Sequence, residues 1–203
     1  MFLFECAVTF EAEATTVWQI WTDVARWPEW DVSKEIAQMD GEFQPGSSGW
    51  VKKHNALGGT FAITSVEPGR RWISESPLPL GRVIFDHVVD PLPGGQVRVA
   101  KSVQVEGGSA GLFRVLAAPR MRRDIETSLA ALQRRAQAEE AQAEEAQARH
   151  AQATQAQAEQ TRGEQARAEQ QRAGAQQAGA APEPAGAEPQ RQASRHRHTP
   201  HVA

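Results

Sequence analysis

The first ten residues alternate between strongly apolar positions and smaller or more polar ones. The even positions carry the apolar side chains Phe2, Phe4, Cys6, Val8 and Phe10. A period of two residues is typical of a β-strand with one buried face. We therefore predict a first strand over this segment.

A helical period follows. Val17, Ile20, Trp21 and Val24 recur at spacings of three and four residues, which places one apolar stripe on a short helix. Asp23 is a residue type that caps helices, so it is expected to cap a second short helical turn. Pro28 lacks a backbone donor and is expected to limit that turn. The pattern predicts two short helices after the first strand.

The middle of the chain consists of short β-prone runs separated by glycine and proline. Such punctuation is typical of turns between strands. The predicted strands cover residues 32–39, 48–55, 59–67, 70–76, 81–90 and 96–106. Their short separations favour an antiparallel meander.

The period becomes helical again beyond residue 108. One helical face collects six residues, namely Phe113, Ala117, Met121, Ile125, Leu129 and Leu132. A long closing helix is therefore predicted. Pro119 falls inside the pattern and either kinks this helix or starts it.

Large apolar side chains almost disappear after Leu132, where only Val202 remains. Residues 136–170 run in five-residue units rich in Ala, Gln, Glu and Arg, and this period cannot build a continuous coiled-coil seam. We predict one domain over residues 1–135 and a low-complexity tail over 136–203. The tail is expected to be helical at first and disordered past Gly174.

Charge and cysteine content narrow the function classes. Residues 1–132 carry a net charge of −3 and the remainder is balanced, so no concentrated positive field supports nucleic-acid binding. Cys6 is the only cysteine, which excludes an internal disulfide and a cysteine metal cage. No metal or other cofactor is predicted. The absence of a signal sequence or long apolar run predicts a cytoplasmic protein without integral membrane association.

Several short segments resemble a known superfamily. They are Val17-Trp18 to Asp23, Trp27-Pro28-Glu29-Trp30-Asp31, Val66 to Trp72, Phe85-Asp86-His87, Pro93-Gly94-Gly95 and Ser128 to Leu132. Together with the order of elements, they resemble the polyketide cyclase/dehydrase branch of the START-like, or SRPBCC, superfamily. The resemblance covers roughly residues 2–134.

The resemblance implies an α+β helix-grip fold. In that fold a curved antiparallel sheet of about seven strands wraps around the long C-terminal helix and encloses an elongated pocket. The superfamily includes lipid carriers, receptors, aromatases and cyclases. Our first hypothesis is therefore that the protein binds a small hydrophobic, lipid- or polyketide-like molecule. A polyketide cyclase, dehydrase or aromatase activity is the second, and an interaction protein acting through its tail is the third. The number of copies in the assembly stays open.

Aromatic and flexible apolar residues on separate elements are the candidate cavity walls. They are Trp50, Phe61, Trp72 and Phe85 on the strands, and Phe113, Met121 and Ile125 on the closing helix. Core packing alone is the alternative explanation for each of them.

His87 is the candidate for polar chemistry, since it interrupts an apolar strand face and titrates near neutrality. A hydrogen-bonded structural histidine is the alternative. Asp86 is expected to point to the opposite face of the strand and so not to orient His87. The chain contains no recognised catalytic motif.

Overall fold

The computed structural model describes residues 1–54 and 56–178, with side chains described up to residue 175. The strands are β1 (Phe2–Glu11), β2 (Lys34–Asp40), β3 (Ser48–Lys53), β4 (Gly59–Glu67), β5 (Arg71–Leu78), β6 (Gly81–Leu92) and β7 (Gln96–Gly107). The helices are α1 (Ala14–Thr22), a 3₁₀ turn (Val24–Arg26), α2 (Trp27–Trp30), α3 (Ala110–Leu116) and α4 (Ala118–Ala178).

The strands form one seven-stranded sheet in the order β1-β7-β6-β5-β4-β3-β2. All neighbouring pairs are antiparallel. β2 to β7 follow one another as a meander, and β1 joins the far edge beside β7. The predicted α+β helix-grip fold, with short helices after β1 and a long C-terminal helix, is confirmed.

The core lies between the sheet and the first turns of α4. On β7 the inward residues Val97, Val99, Val103 and Val105 are fully buried, and Leu129 and Leu132 of α4 belong to the same apolar cluster. Each such side chain contributes about 1.5 to 3 kcal/mol by leaving water. This burial fixes the N-terminal part of α4 against the sheet.

Gly49 permits a close approach of the Phe61 ring to the backbone of β3. It is buried on β3, and a Cβ atom added there would lie 2.4 Å from Cζ of Phe61 and 2.6 Å from the Gln38 carbonyl oxygen. Real Cβ atoms do not come so close to another carbon, so any larger residue would displace Phe61 or the backbone of β2. Gly49 thus leaves room for the Phe61 ring on the concave side.

The two short helices follow the prediction in place but not in detail. Asp23 precedes the 3₁₀ turn, yet its side chain makes no capping hydrogen bond. Pro28 lies in the first turn of α2 and therefore starts this helix rather than limiting it. Proline is tolerated there because first-turn N–H groups have no acceptor within the helix.

The predicted closing helix is divided at Ala117. α3 ends at Leu116, and Pro119 is the second residue of α4. Pro119 therefore starts the long helix and does not kink it. The break separates Phe113 from the stripe formed by Met121, Ile125 and the residues that follow.

α4 continues past the predicted domain boundary at residue 135. Ala136 is fully buried, and the Glu140 carboxylate accepts a hydrogen bond from the Glu13 N–H at 2.5 Å. Described side chains from residue 141 to 175 are all exposed. The chain divides into the units Met1–Arg149 and His150–Ala203. Most of the segment past Gly174, which is predicted to be disordered, lies outside the described residues. Within the described part, no helix combines the length and apolarity needed to cross a membrane.

We propose that the stable domain ends shortly after Glu140, and two truncations test this. Removing residues 150–203 is expected to leave the thermal midpoint within about 1 °C, because no described side chain in that segment is buried. Removing residues 136–203 also deletes Ala136 and the Glu140 contact, and is expected to lower the midpoint by about 3 to 6 °C. Differential scanning calorimetry on both truncations decides, and equal midpoints would contradict the proposed end.

Candidate functional site

A cavity of about 440 Å³ lies between the concave face of the sheet and the start of α4. Its volume is in the range of small-molecule binding sites. The walls come from Lys34 at the start of β2, from β3 to β7, from Trp27 on α2 and from Met121, Ile125 and Ser128 on α4. The cavity is lined mainly by apolar side chains, with a small number of polar groups among them.

Stacked rings form one wall. The Trp72 indole and the His87 imidazole lie parallel, with ring centroids 3.4 Å apart. Trp27 stacks on Trp72 at 6.4 Å and on Phe61 at 6.0 Å. Trp27 is fixed by its own hydrogen bond, because its indole N–H donates to the Trp21 carbonyl at 3.0 Å. The wall is therefore preorganised.

The structure places most of the predicted wall residues along this cavity. Lining residues from the prediction are Phe61, Trp72, Phe85, His87, Met121 and Ile125. Their role in binding a ligand stays a prediction. Trp27 was not among the predicted wall residues, and it also lines the cavity.

Trp50 and Phe113 lie elsewhere. Gly49 and Val51 face inward on β3, so Trp50 between them faces the other side, where its indole lies beside Gly58. Phe113 belongs to α3 and packs at the margin of the core, because the break at Ala117 separates α3 from the helix that borders the cavity.

His87 lines the cavity as a neutral side chain. His87 is only 1% exposed. Burial is the main reason that the pKa of His87 lies well below its usual 6.5, and the positive charge of the nearby Lys101 lowers this pKa further. Nδ1 lies 3.3 Å from the Trp72 carbonyl oxygen. Asp86 points away and pairs with Arg71 at 2.7 Å, as the strand alternation predicts. His87 therefore has the geometry of a structural histidine with one edge on the cavity.

A buried ion pair closes one end of the cavity. The Asp31 carboxylate is fully buried and accepts hydrogen bonds from Lys34, from the Ser128 hydroxyl at 2.5 Å and from the Ser33 hydroxyl at 2.6 Å. Burial alone would raise the pKa of Asp31, but the Lys34 ammonium and the hydrogen bonds outweigh it and lower this pKa to about 2. The cluster joins the end of α2, the start of β2 and α4.

Three lysines border the cavity, and two have carboxylate partners. Lys34 pairs with Asp31, and the Lys53 ammonium lies 2.7 Å from an Asp124 carboxylate oxygen. Lys101 on β7 has no ion pair or hydrogen bond among the residues that the structure describes. Its Nζ lies 4.7 Å from the centroid of the Phe85 ring. Burial, reinforced by the charges of Lys34 and Lys53, lowers the pKa of Lys101 to about 7.

Lys101 was not among the predicted site residues, although the sequence of β7 carries a signal for it. Inward positions of β7 read Val97, Val99, Lys101, Val103 and Val105, so one lysine interrupts an otherwise apolar face. In the sheet it lies opposite His87 on β6. A lysine in such a position must be paired, neutral or beside a cavity.

A family model described as "Polyketide cyclase / dehydrase and lipid transport" matches residues 1–137. A comparison with curated protein sequences gives no match. Among solved structures, a hypothetical protein from Helicobacter pylori superposes with a TM-score of 0.56 and 12% identity, over 65% of this chain and 86% of that one.

Two enzymes are also similar in structure. The Zhui aromatase/cyclase from a Streptomyces species has a TM-score of 0.53 and 16% identity, over 66% of this chain and 92% of that chain. Truncated norcoclaurine synthase from Thalictrum flavum has a TM-score of 0.53 and 10% identity, over 64% and 89% respectively. At these identities the likeness shows the fold alone.

The unpaired amine gives a pH-dependent prediction. The pKa of Lys101 is lower in the folded protein than its usual 10.5, so stability should rise with pH between about 7 and 10.5. Lys101→Met should stabilise the protein by about 2 to 4 kcal/mol at pH 6, and this gain should shrink toward pH 10. Urea unfolding at both values measures it. A gain that does not change with pH would show that Lys101 titrates normally.

The buried carboxylate also makes stability rise with pH, but in the acid range. Asp31→Asn should destabilise the fold by about 3 to 5 kcal/mol at pH 7, because Lys34 loses its buried partner. The pKa of Asp31 falls from 3.8 to about 2 on folding, so the contribution is present above pH 4 and is lost as pH falls toward 2. The difference in urea midpoint between wild type and variant should therefore narrow in acid.

Glu29→Gln is the matched control. Glu29 lies two residues before Asp31, and the substitution also removes one negative charge, but from an exposed ion pair with Arg26. Its urea midpoint should stay close to that of the wild type. Equal effects of the two substitutions would contradict a special role for the Asp31 cluster.

Proposed function

Because the chain belongs to the polyketide cyclase/dehydrase and lipid transport family, we propose that it binds a small, largely apolar, lipid- or polyketide-like molecule between the sheet and α4. The observation that carries the proposal is the cavity of about 440 Å³ with one wall of stacked rings. Family and structural neighbours together support a ligand-binding or cyclase role.

The fixed rings of the wall favour a ligand with an apolar body. Trp27, Phe61 and Trp72 are held against one another, so an apolar molecule gains contact without ordering the wall. Burial of roughly 200 Å² of apolar ligand surface would contribute about 5 kcal/mol. Taken alone, about 5 kcal/mol corresponds to a dissociation constant of about 0.2 mM. Contacts with the preorganised rings must therefore offset the cost of association and add about 2 kcal/mol for a dissociation constant near 10 µM.

The polar lining favours a ligand with one polar end. Lys101 offers a group with no described partner, whereas the amines of Lys34 and Lys53 are already bonded to carboxylates. A carbonyl or acidic oxygen beside Lys101 would supply the missing hydrogen bond. A cyclase activity would also draw on this group and on His87, since both border the cavity.

Filling the cavity tests the proposal. Ser76 is half-buried, lines the cavity and lies opposite the buried Val83 in the sheet. Ser76→Phe should place a ring in the cavity and weaken binding of the uncharged fluorescent probe N-phenyl-1-naphthylamine at least about tenfold. Fluorescence titration of the wild type is expected to give a dissociation constant of about 10 µM.

Ser65→Phe is the matched control, since Ser65 is also half-buried but pairs with Ile73 and is not among the lining residues. It should bind the probe within about twofold of the wild type. Absence of probe binding by the wild type, or equal weakening by both substitutions, would contradict a ligand site in this cavity.

A further inference from the structure

Lys101 differs from every other lysine of the chain. The sequence contains four lysines, Lys34, Lys52, Lys53 and Lys101. The first three each lie within hydrogen-bond distance of a carboxylate, namely Asp31, Glu35 and Asp124. No such carboxylate lies beside Lys101 in the described part of the chain, and its Nζ faces the Phe85 ring instead. A carboxylate partner favours the charged ammonium and opposes the effect of burial, whereas burial without such a partner favours the neutral amine.

The groups around Lys101 also favour the uncharged amine. Lys34 and Lys53 add positive charge nearby, while the neighbours in the sheet, His87 on β6 and Cys6 on β1, carry no charge at pH 7. Asp31 favours the charged form, but its carboxylate is engaged by Lys34. Burial of the amino group is the largest effect, so a large fraction of Lys101 is unprotonated at neutral pH.

We propose that Lys101 is a nucleophilic amine that forms an imine with an aldehyde or ketone group of the cavity ligand. This inference rests on the proposed function, because the apolar walls must first hold the body of the ligand. It adds the chemical class of the ligand's polar end. Desolvated lysines among apolar walls and other cations are the type that forms Schiff bases with carbonyl compounds.

The step needs no further reactant. The nitrogen lone pair of Lys101 attacks the carbonyl carbon, the C–O π bond opens, and one amine proton passes to the oxygen. The resulting carbinolamine then loses its hydroxyl together with the second amine proton as water, and a C=N bond remains. Protonation of that nitrogen gives an iminium cation. The Phe85 ring, 4.7 Å from Nζ, can stabilise this charge.

Reductive trapping on the full chain tests the proposal. The probe is 6-methoxy-2-naphthaldehyde with sodium cyanoborohydride at pH 7, and the readout is intact mass followed by peptide mapping. Reduction of the imine adds the mass of the aldehyde less one oxygen atom. We expect Lys101 to be labelled at least about tenfold faster than Lys52, a half-buried lysine on the face of β3 away from the cavity.

Two variants sharpen the test. Lys101→Met should lose the rapid label, and Lys52→Met should keep it. Near-ultraviolet circular dichroism verifies that Lys101→Met remains folded. If this variant does not fold, peptide mapping of the labelled wild type alone shows whether Lys101 is the rapidly labelled lysine. Similar labelling rates at Lys52, the amino terminus and Lys101 would overturn the proposal.

The aldehyde is also titrated against bound N-phenyl-1-naphthylamine. Displacement of this dye without label at Lys101 would overturn the imine and leave the binding site standing. Absence of dye binding by the wild type would remove the proposed function together with the imine.

Discussion

The cavity depends on one buried carboxylate. Asp31 lies where α2 gives way to β2, and it accepts hydrogen bonds from Lys34 and from Ser128 on α4. Burying an ion pair is costly unless its remaining bonding capacity is satisfied, and here Ser33 supplies further donors. These directional bonds hold α4 at a set distance from the edge of the sheet. Apolar packing alone has no preferred distance and would favour collapse of the space.

The walls of the cavity combine stacked aromatic rings with one buried amine. The ring wall of Trp27, Trp72 and His87 is rigid because each ring contacts another, and a buried indole hydrogen bond holds Trp27. The amine of Lys101 lies among these neutral groups without a carboxylate partner in the described residues. Leaving an amine there reduces stability at neutral pH. Such a cost is typical of positions at which a protein keeps a reactive group.

Much of the fold could be predicted from the sequence because period-two and period-3.6 patterns report which side of an element is buried. β1, the meander and the helical stripe of Met121 and Ile125 all follow from such patterns. The face of Trp50 could not be predicted, since its strand combines Gly49 with charged residues and has no clear apolar side. Pro119 marks the break at Ala117, but a proline inside a helical pattern is compatible with either a kink or a helix start, so the sequence did not decide between them. The hydrogen bond between Asp31 and Ser128 joins residues 97 positions apart, so no local sequence pattern predicts it.

The close contact between Gly49 and Phe61 has a consequence for divergence within such a fold. Gly49 is not among the residues that line the cavity, yet the space above its Cα holds the Phe61 ring, which does line it. A substitution at this position would move the ring toward the cavity and change the volume available to a ligand. Selectivity for ligand size can therefore evolve through a residue that never contacts the ligand, while the chemical groups of the wall stay the same.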